Sequence, residues 1–122
     1  MDRHEVGAKL LGQMIGTEMA AQAGAATRPD AVAPFMSEMV LDHVYGEIWS
    51  RPGLDLKARS LVTLGILIAL RADTELGIHF GIAMKNGLTR EEIEEVIYHA
   101  TAYAGFPTAS HARSVLERQL KA

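Results

Sequence analysis

The chain has 122 residues, 48% of them hydrophobic and 22% charged, with 4 prolines, which is the composition of one folded domain spanning residues 1–122. Cysteine is absent, so thiolate metal sites, disulfides and cysteine nucleophiles are excluded, and a reducing cytoplasm is the expected setting. Lys and Arg total 12 against 15 for Asp and Glu, a net charge of −3, which offers no electrostatic pull toward nucleic acid or an anionic membrane.

Taken in chain order, the pattern predicts an all-α chain of about six helices. The opening MDRHEVGAKLLGQ carries acidic residues early and no uninterrupted apolar run, so it does not read as a secretory signal. From about 3 to 19, Val6, Leu10, Leu11 and Met14 fall on one side of a helix, and Gly12 with Gly16 would admit a close neighbour. The Ala-rich piece 20–27, followed by Arg28-Pro29-Asp30, reads as a connection. Asp30 is the expected cap of a second helix reaching about Trp49, with Pro34 near its first turn, before Pro52-Gly53 breaks the chain. Asp55 would cap a third helix, about 56 to 71, apolar on nearly every face and so expected to be surrounded by protein. Its apolar run, 61–70, is about half the length a membrane span needs. A fourth helix, about 73 to 85, points Leu76, Phe80 and Ala83 one way and ends at Asn86-Gly87. Thr89-Arg90-Glu91-Glu92 is a capping box that opens a fifth helix to about Ala104, with Ile93, Val96, Ile97 and Ala100 facing inward. Gly105-Phe106-Pro107 separates it from a last helix, about 108 to 121.

Motifs for nucleotide, dinucleotide, zinc-protease and serine-hydrolase chemistry are all missing. The leading polar pair is Glu75 and His79, spaced i,i+4 and therefore stacked on one helix face. A carboxylate beside an imidazole orients it and raises its proton affinity, which suits a proton donor near neutral pH. The plainer alternative is an exposed helix pair of no catalytic consequence. His43, Tyr45, Glu47, Trp49 and Arg51 crowd the end of the second helix and would offer a hydrogen-bonding wall to an anionic ligand, although Trp49 equally suits packing. Arg51 and Arg59 each have the fork geometry to grip a carboxylate, or stay solvated. His99 on the fifth helix reads first as a core or interface histidine.

Four stretches carry a resemblance: Tyr45-Gly-Glu-Ile-Trp-Ser-Arg-Pro-Gly-Leu-Asp55, Arg59-Ser-Leu-Val-Thr63, Glu75-Leu-Gly-Ile-His79 and Tyr103-Ala-Gly-Phe-Pro107. Over about residues 40 to 110 the sequence resembles the carboxymuconolactone decarboxylase family, related to the alkylhydroperoxidase D proteins. Redox members of that group carry Cys-x-x-Cys-x-x-x-His with an upstream glutamate. Registering their histidine on His79 puts Ala72 and Glu75 at the cysteine positions and Ser60 at the glutamate, so the peroxidase machinery is missing. The resemblance implies an alkylhydroperoxidase D-like helical fold assembled as a homohexamer, a trimer of dimers. For the decarboxylase branch it implies conversion of 4-carboxymuconolactone to the enol-lactone of 3-oxoadipate in protocatechuate catabolism, without a cofactor or metal. In that reading Arg51 or Arg59 holds a substrate carboxylate, Trp49 and Glu47 form part of the binding wall, and His79 with Glu75 supplies the proton. The first 40 residues match poorly, and Leu11 stands where the decarboxylases carry an arginine. A related lactone or a 3-oxo acid therefore stands beside the named substrate, and a non-enzymatic helical oligomer that binds a small ligand is the reading from another class.

Overall fold

A computed structural model describes residues 1–16 and 30–122. Their regular elements are all helical, and they group into two compact units, Met1–Leu54 and Asp55–Ala122.

In the first unit, α1 spans Arg3–Ile15 and is capped by Asp2, whose carboxylate accepts from the Glu5 N–H at 2.8 Å. Gly16, at φ 93°, ends it, short of the expected 19; residues 17–19 and the predicted 20–29 connection lie outside the described residues. The buried seam of α1 is Gly7, Leu11 and Met14, with Val6 and Leu10 only half-buried at its margin. The second helix, α2, begins as an α-helix over Phe35–Met39 and continues as a π-helix over Val40–Ile48. Asp30 does not cap it. Proline's ring disfavours helical geometry in the residue before it, Ala33 sits at φ 48°, and Pro34 itself occupies the cap position. The helices α1 and α2 cross at near contact of their backbones: a Cβ on Gly7 would stand 1.8 Å from the Leu41 carbonyl oxygen, and one on Gly46 would stand 2.2 Å from that of Arg3. Gly7 and Gly46 thus make the close approach that the sequence suggested for Gly12 and Gly16.

The second unit holds four helices around one core. Asp55 caps α3 (Leu56–Leu70) by accepting from the Ala58 N–H at 2.7 Å, as expected. A two-residue corner at Arg71 and Ala72 leads into α4 (Asp73–Lys85), and Gly87, at φ 103°, closes it. The Thr89 capping box is complete, with the Glu92 N–H donating to Thr89 Oγ1 at 3.1 Å and the Thr89 N–H to Glu92 Oε1 at 2.9 Å. It opens α5 (Arg90–Tyr103). The last helix, α6 (Phe106–Lys121), starts two residues earlier than predicted because Gly105, at φ 95°, turns the chain before Pro107. Leu64 and Ile68 of α3, Leu76, Phe80 and Ala83 of α4, Ile93 and Ile97 of α5, and Ala112, Val115 and Leu116 of α6 form the core. Only one face of α3 enters it. Leu61, Val62, Ile66 and Leu70 are exposed in the single chain, so the described residues of the chain do not themselves supply all the protein expected to surround this helix. No helix among the described residues is long and apolar enough to cross a membrane.

Candidate active site

The six residues singled out from the sequence divide between the units: Glu47, Trp49 and Arg51 in the first, Arg59, Glu75 and His79 in the second.

On α4, Leu76, Phe80 and Ala83 bury one face, and this burial fixes the rotation of the helix. Glu75, one residue before Leu76, stays exposed, whereas His79, one residue before Phe80, is half-buried. Burial lowers the His79 pKa from its ordinary 6.5, and the Glu75 carboxylate one turn away acts against that shift. The expected influence of Glu75 is thus present, but desolvation outweighs it, and the net direction is opposite to the one the spacing suggested. An imidazole in this state is neutral near pH 7 and readily releases a proton once it has gained one.

Arg59 is half-buried in the first turn of α3, and its carbonyl accepts from Thr63 Oγ1 at 2.9 Å. Its neighbour Ser60 is the one fully buried polar side chain among the described residues, and Ser60 Oγ accepts from Asn86 Nδ2 at 3.0 Å. That bond ties α3 to the end of α4 and satisfies a hydroxyl that would otherwise be costly to bury. In the sequence Ser60 stands out only by its register with the glutamate of the redox members, since it follows Arg59 just ahead of the apolar run 61–70.

In the first unit Glu47 is already engaged. Its Oε1 lies 2.6 Å from His43 Nδ1 and its Oε2 accepts from Arg3 at 2.7 Å. The His43 bond, then the Arg3 bond, hold its carboxyl below the usual carboxylate range. A committed carboxylate of this kind orients an imidazole and does not itself attract an anion. Trp49 is buried and stacks on Tyr45, with ring centroids 5.9 Å apart and an interplanar angle of 21°, while Arg51 is exposed just beyond the helix. The π-helical register, which sequence periodicity does not reveal, is what presents this segment; such turns recur at functional sites.

A groove of about 920 Å³ lies elsewhere in the second unit, between α3 and α5, floored by Leu61, Gly65 and Ala69 and edged by His99 and Tyr103. Neither Glu75 nor His79 lines it. Its apolar floor suits a protein surface better than an anionic substrate.

The carboxymuconolactone decarboxylase family model matches residues 34–118, a span that includes all six candidates. The chain belongs to this family. It is 42% identical to a nitrosuccinic acid decarboxylase of Metarhizium robertsii over 83 residues, covering 68% of this chain and 58% of the relative. It is 43% identical to a 4-carboxymuconolactone decarboxylase of Acinetobacter baylyi over 77 residues, covering 63% of this chain and 58% of the relative. An uncharacterized 15.0 kDa protein of Paracoccus denitrificans is 28% identical over 90 residues, 72% of this chain and 67% of the relative. The chain therefore spans less than two thirds of the length of each of the two decarboxylases.

Proposed function

We propose that this chain is a decarboxylase that needs no cofactor and acts on a small anionic lactone, with 4-carboxymuconolactone as the leading substrate and 3-oxoadipate enol-lactone as product. The similarity to two decarboxylases carries this reading. Cleavage of the bond between the γ-carbon and its carboxylate releases CO2, and the electron pair moves through the ring alkene into the lactone carbonyl. The resulting dienolate needs its oxyanion stabilised and then a proton on carbon. His79 is the proposed donor of that proton, with Glu75 steadying the ring. Arg51 or Arg59 grips the retained carboxylate by its fork of N–H groups. Trp49 supplies an apolar wall that favours departure of a charged carboxylate as neutral CO2, and Glu47, bonded to His43 and Arg3, forms part of the binding wall. A doubly negative substrate beside His79 raises its proton affinity, so the bound complex restores the protonated donor that burial disfavours in the free protein.

The likeness to a nitrosuccinic acid decarboxylase favours a second reading, a small nitro- or oxo-substituted dicarboxylate. Its chemistry makes the same demands: loss of CO2 beside an electron-withdrawing group, an oxyanion to stabilise, and protonation at carbon. In either case we propose a homo-oligomer, hexameric by family resemblance, in which copies cover the apolar face of α3, and a cytoplasmic setting. Offering both substrates to the purified chain and following CO2 release separates the two readings from each other. Release from neither defeats both readings and leaves a ligand-binding oligomer or a paralogue acting on a related lactone or 3-oxo acid.

A further inference from the structure

The helices α4 and α6 meet along three rungs. Asp73 Oδ2 lies 2.7 Å from His111 Nε2, a Cβ on Gly77 would meet Val115 Cγ1 at 3.7 Å, and one on Gly81 would meet Gln119 Nε2 at 3.2 Å. Asp73, Gly77 and Gly81 follow one another at i, i+4 and i+8, as do His111, Val115 and Gln119, so the two helices run parallel here with their stripes in register. The glycine rungs let the helices come close. Being smooth, they do not choose between registers, because a sliding or turning glycine stripe meets its neighbour in much the same way. The Asp73–His111 rung is different: it is a directional bond between groups 38 positions apart in sequence, and both side chains are half-buried.

A second bond supports the same end of α4. Arg71, held at φ 54° where α3 stops, donates to Thr108 Oγ1 at 3.2 Å from its Nη2. Thr108 and His111 lie one turn apart on α6, so the corner between α3 and α4 is fastened to a single turn of that helix from both sides. Glu75 and His79 begin two residues after this fastening. They project about 200–240° around α4 from Asp73, at ~100° per residue, and so point away from α6.

We propose that Asp73 and His111 are a positioning pair that sets the register and rotation of α4 on α6, and through the rigid helix the placement of Glu75 and His79 on its opposite side. Its consequence for turnover rests on the decarboxylase reading above; its consequence for His79 does not. With the rung cut, the first turn of α4 loosens and water reaches His79, which then titrates closer to an ordinary histidine.

The test compares His111→Leu, which removes the donor, with His111→Gln, which keeps a donor at similar reach. The first readout is the titration midpoint of the His79 imidazole by NMR in the 122-residue chain, its resonance assigned by its absence from His79→Gln. His111→Leu is expected to raise the midpoint by about half a pH unit or more, and His111→Gln to restore most of the wild-type value. The second readout is turnover of the substrate. His111→Leu is expected to lower kcat about tenfold or more with KM within about twofold, the pattern of a misplaced reacting group. If His111→Leu does not fold, Asp73→Asn, which keeps an acceptor, and Asp73→Ala, which does not, provide the same contrast. A folded donor-less or acceptor-less variant whose His79 midpoint is unchanged overturns the proposal, whatever happens to its melting temperature. A chain that turns over neither substrate defeats the decarboxylase reading alone, because the midpoint still decides whether the pair positions His79.

Discussion

His79 owes its character to two opposed influences, burial and the Glu75 carboxylate, and burial prevails. The unfolded chain therefore binds this proton more readily than the folded one does, so the charging of His79 costs stability as pH falls through about 6.5 and leaves stability untouched well above it. The melting temperature of the wild type should drop relative to that of His79→Gln as pH is lowered from about 8 to about 5, and a pH-independent difference between them would contradict the burial of His79. His79→Ala should lower kcat about 100-fold or more, the usual scale for a positioned acid. Glu75→Gln should cost less, since it keeps a side chain of the same shape, and should move the His79 midpoint further down. Because kcat/KM reports the free enzyme and kcat the complex, the alkaline limb of kcat/KM should lie at lower pH than that of kcat. Coincident limbs would remove the substrate-induced rise in proton affinity. Glu47 acts with the same sign at lower pH: its network contributes stability above about 4.5 that is lost as pH falls below that value, because its carboxyl is held low by His43 and Arg3.

At the scale of helices, local signals were legible where a short-range bond decides the outcome. Asp55, the Thr89 box and Gly87 each sit where their side-chain or backbone chemistry placed them in the sequence. Thr89→Ala should cost about 1 kcal/mol, measurable by denaturant unfolding. What stayed hidden was set at a distance. The π register of Val40–Ile48 has no periodicity signature of its own, and Asp30 lost its predicted cap because Pro34 fixes the chain four residues later. The Glu75–His79 pair was legible from i,i+4 spacing, but the net direction of its pKa was not, because that depends on what buries His79. The Asp73–His111 and Ser60–Asn86 bonds join residues far apart in sequence, and neither partner's neighbours announce the other. Gly7→Ala should destabilise the crossing of α1 and α2 by about 2 kcal/mol or more, because its Cβ would overlap the Leu41 carbonyl. Amide exchange confined to residues 3–15 and 35–48 would report it, and an unchanged exchange pattern would contradict so close an approach.

For the molecule as a whole, the apolar face of α3 is the feature that one chain does not explain. Val62 is 54% exposed, Ile66 53% and Leu70 71%, a patch that water-exposed monomers rarely carry. Association through this face predicts that the wild type sediments as an oligomer and that Ile66→Asp, placing a charge within it, sediments as a smaller species at the same concentration. A monomeric wild type at micromolar concentration would sink the idea. The absence of cysteine likewise predicts no dithiol-driven peroxide turnover. Decarboxylation itself is tested by incubating the purified chain with 4-carboxymuconolactone and quantifying the released CO2 and the enol-lactone together. Equal amounts of both products, formed by the wild type and reduced about 100-fold in His79→Ala, are the predicted result. No CO2 above the spontaneous rate from this lactone or from nitrosuccinic acid, or undiminished release by a well-folded His79→Ala chain, would contradict it.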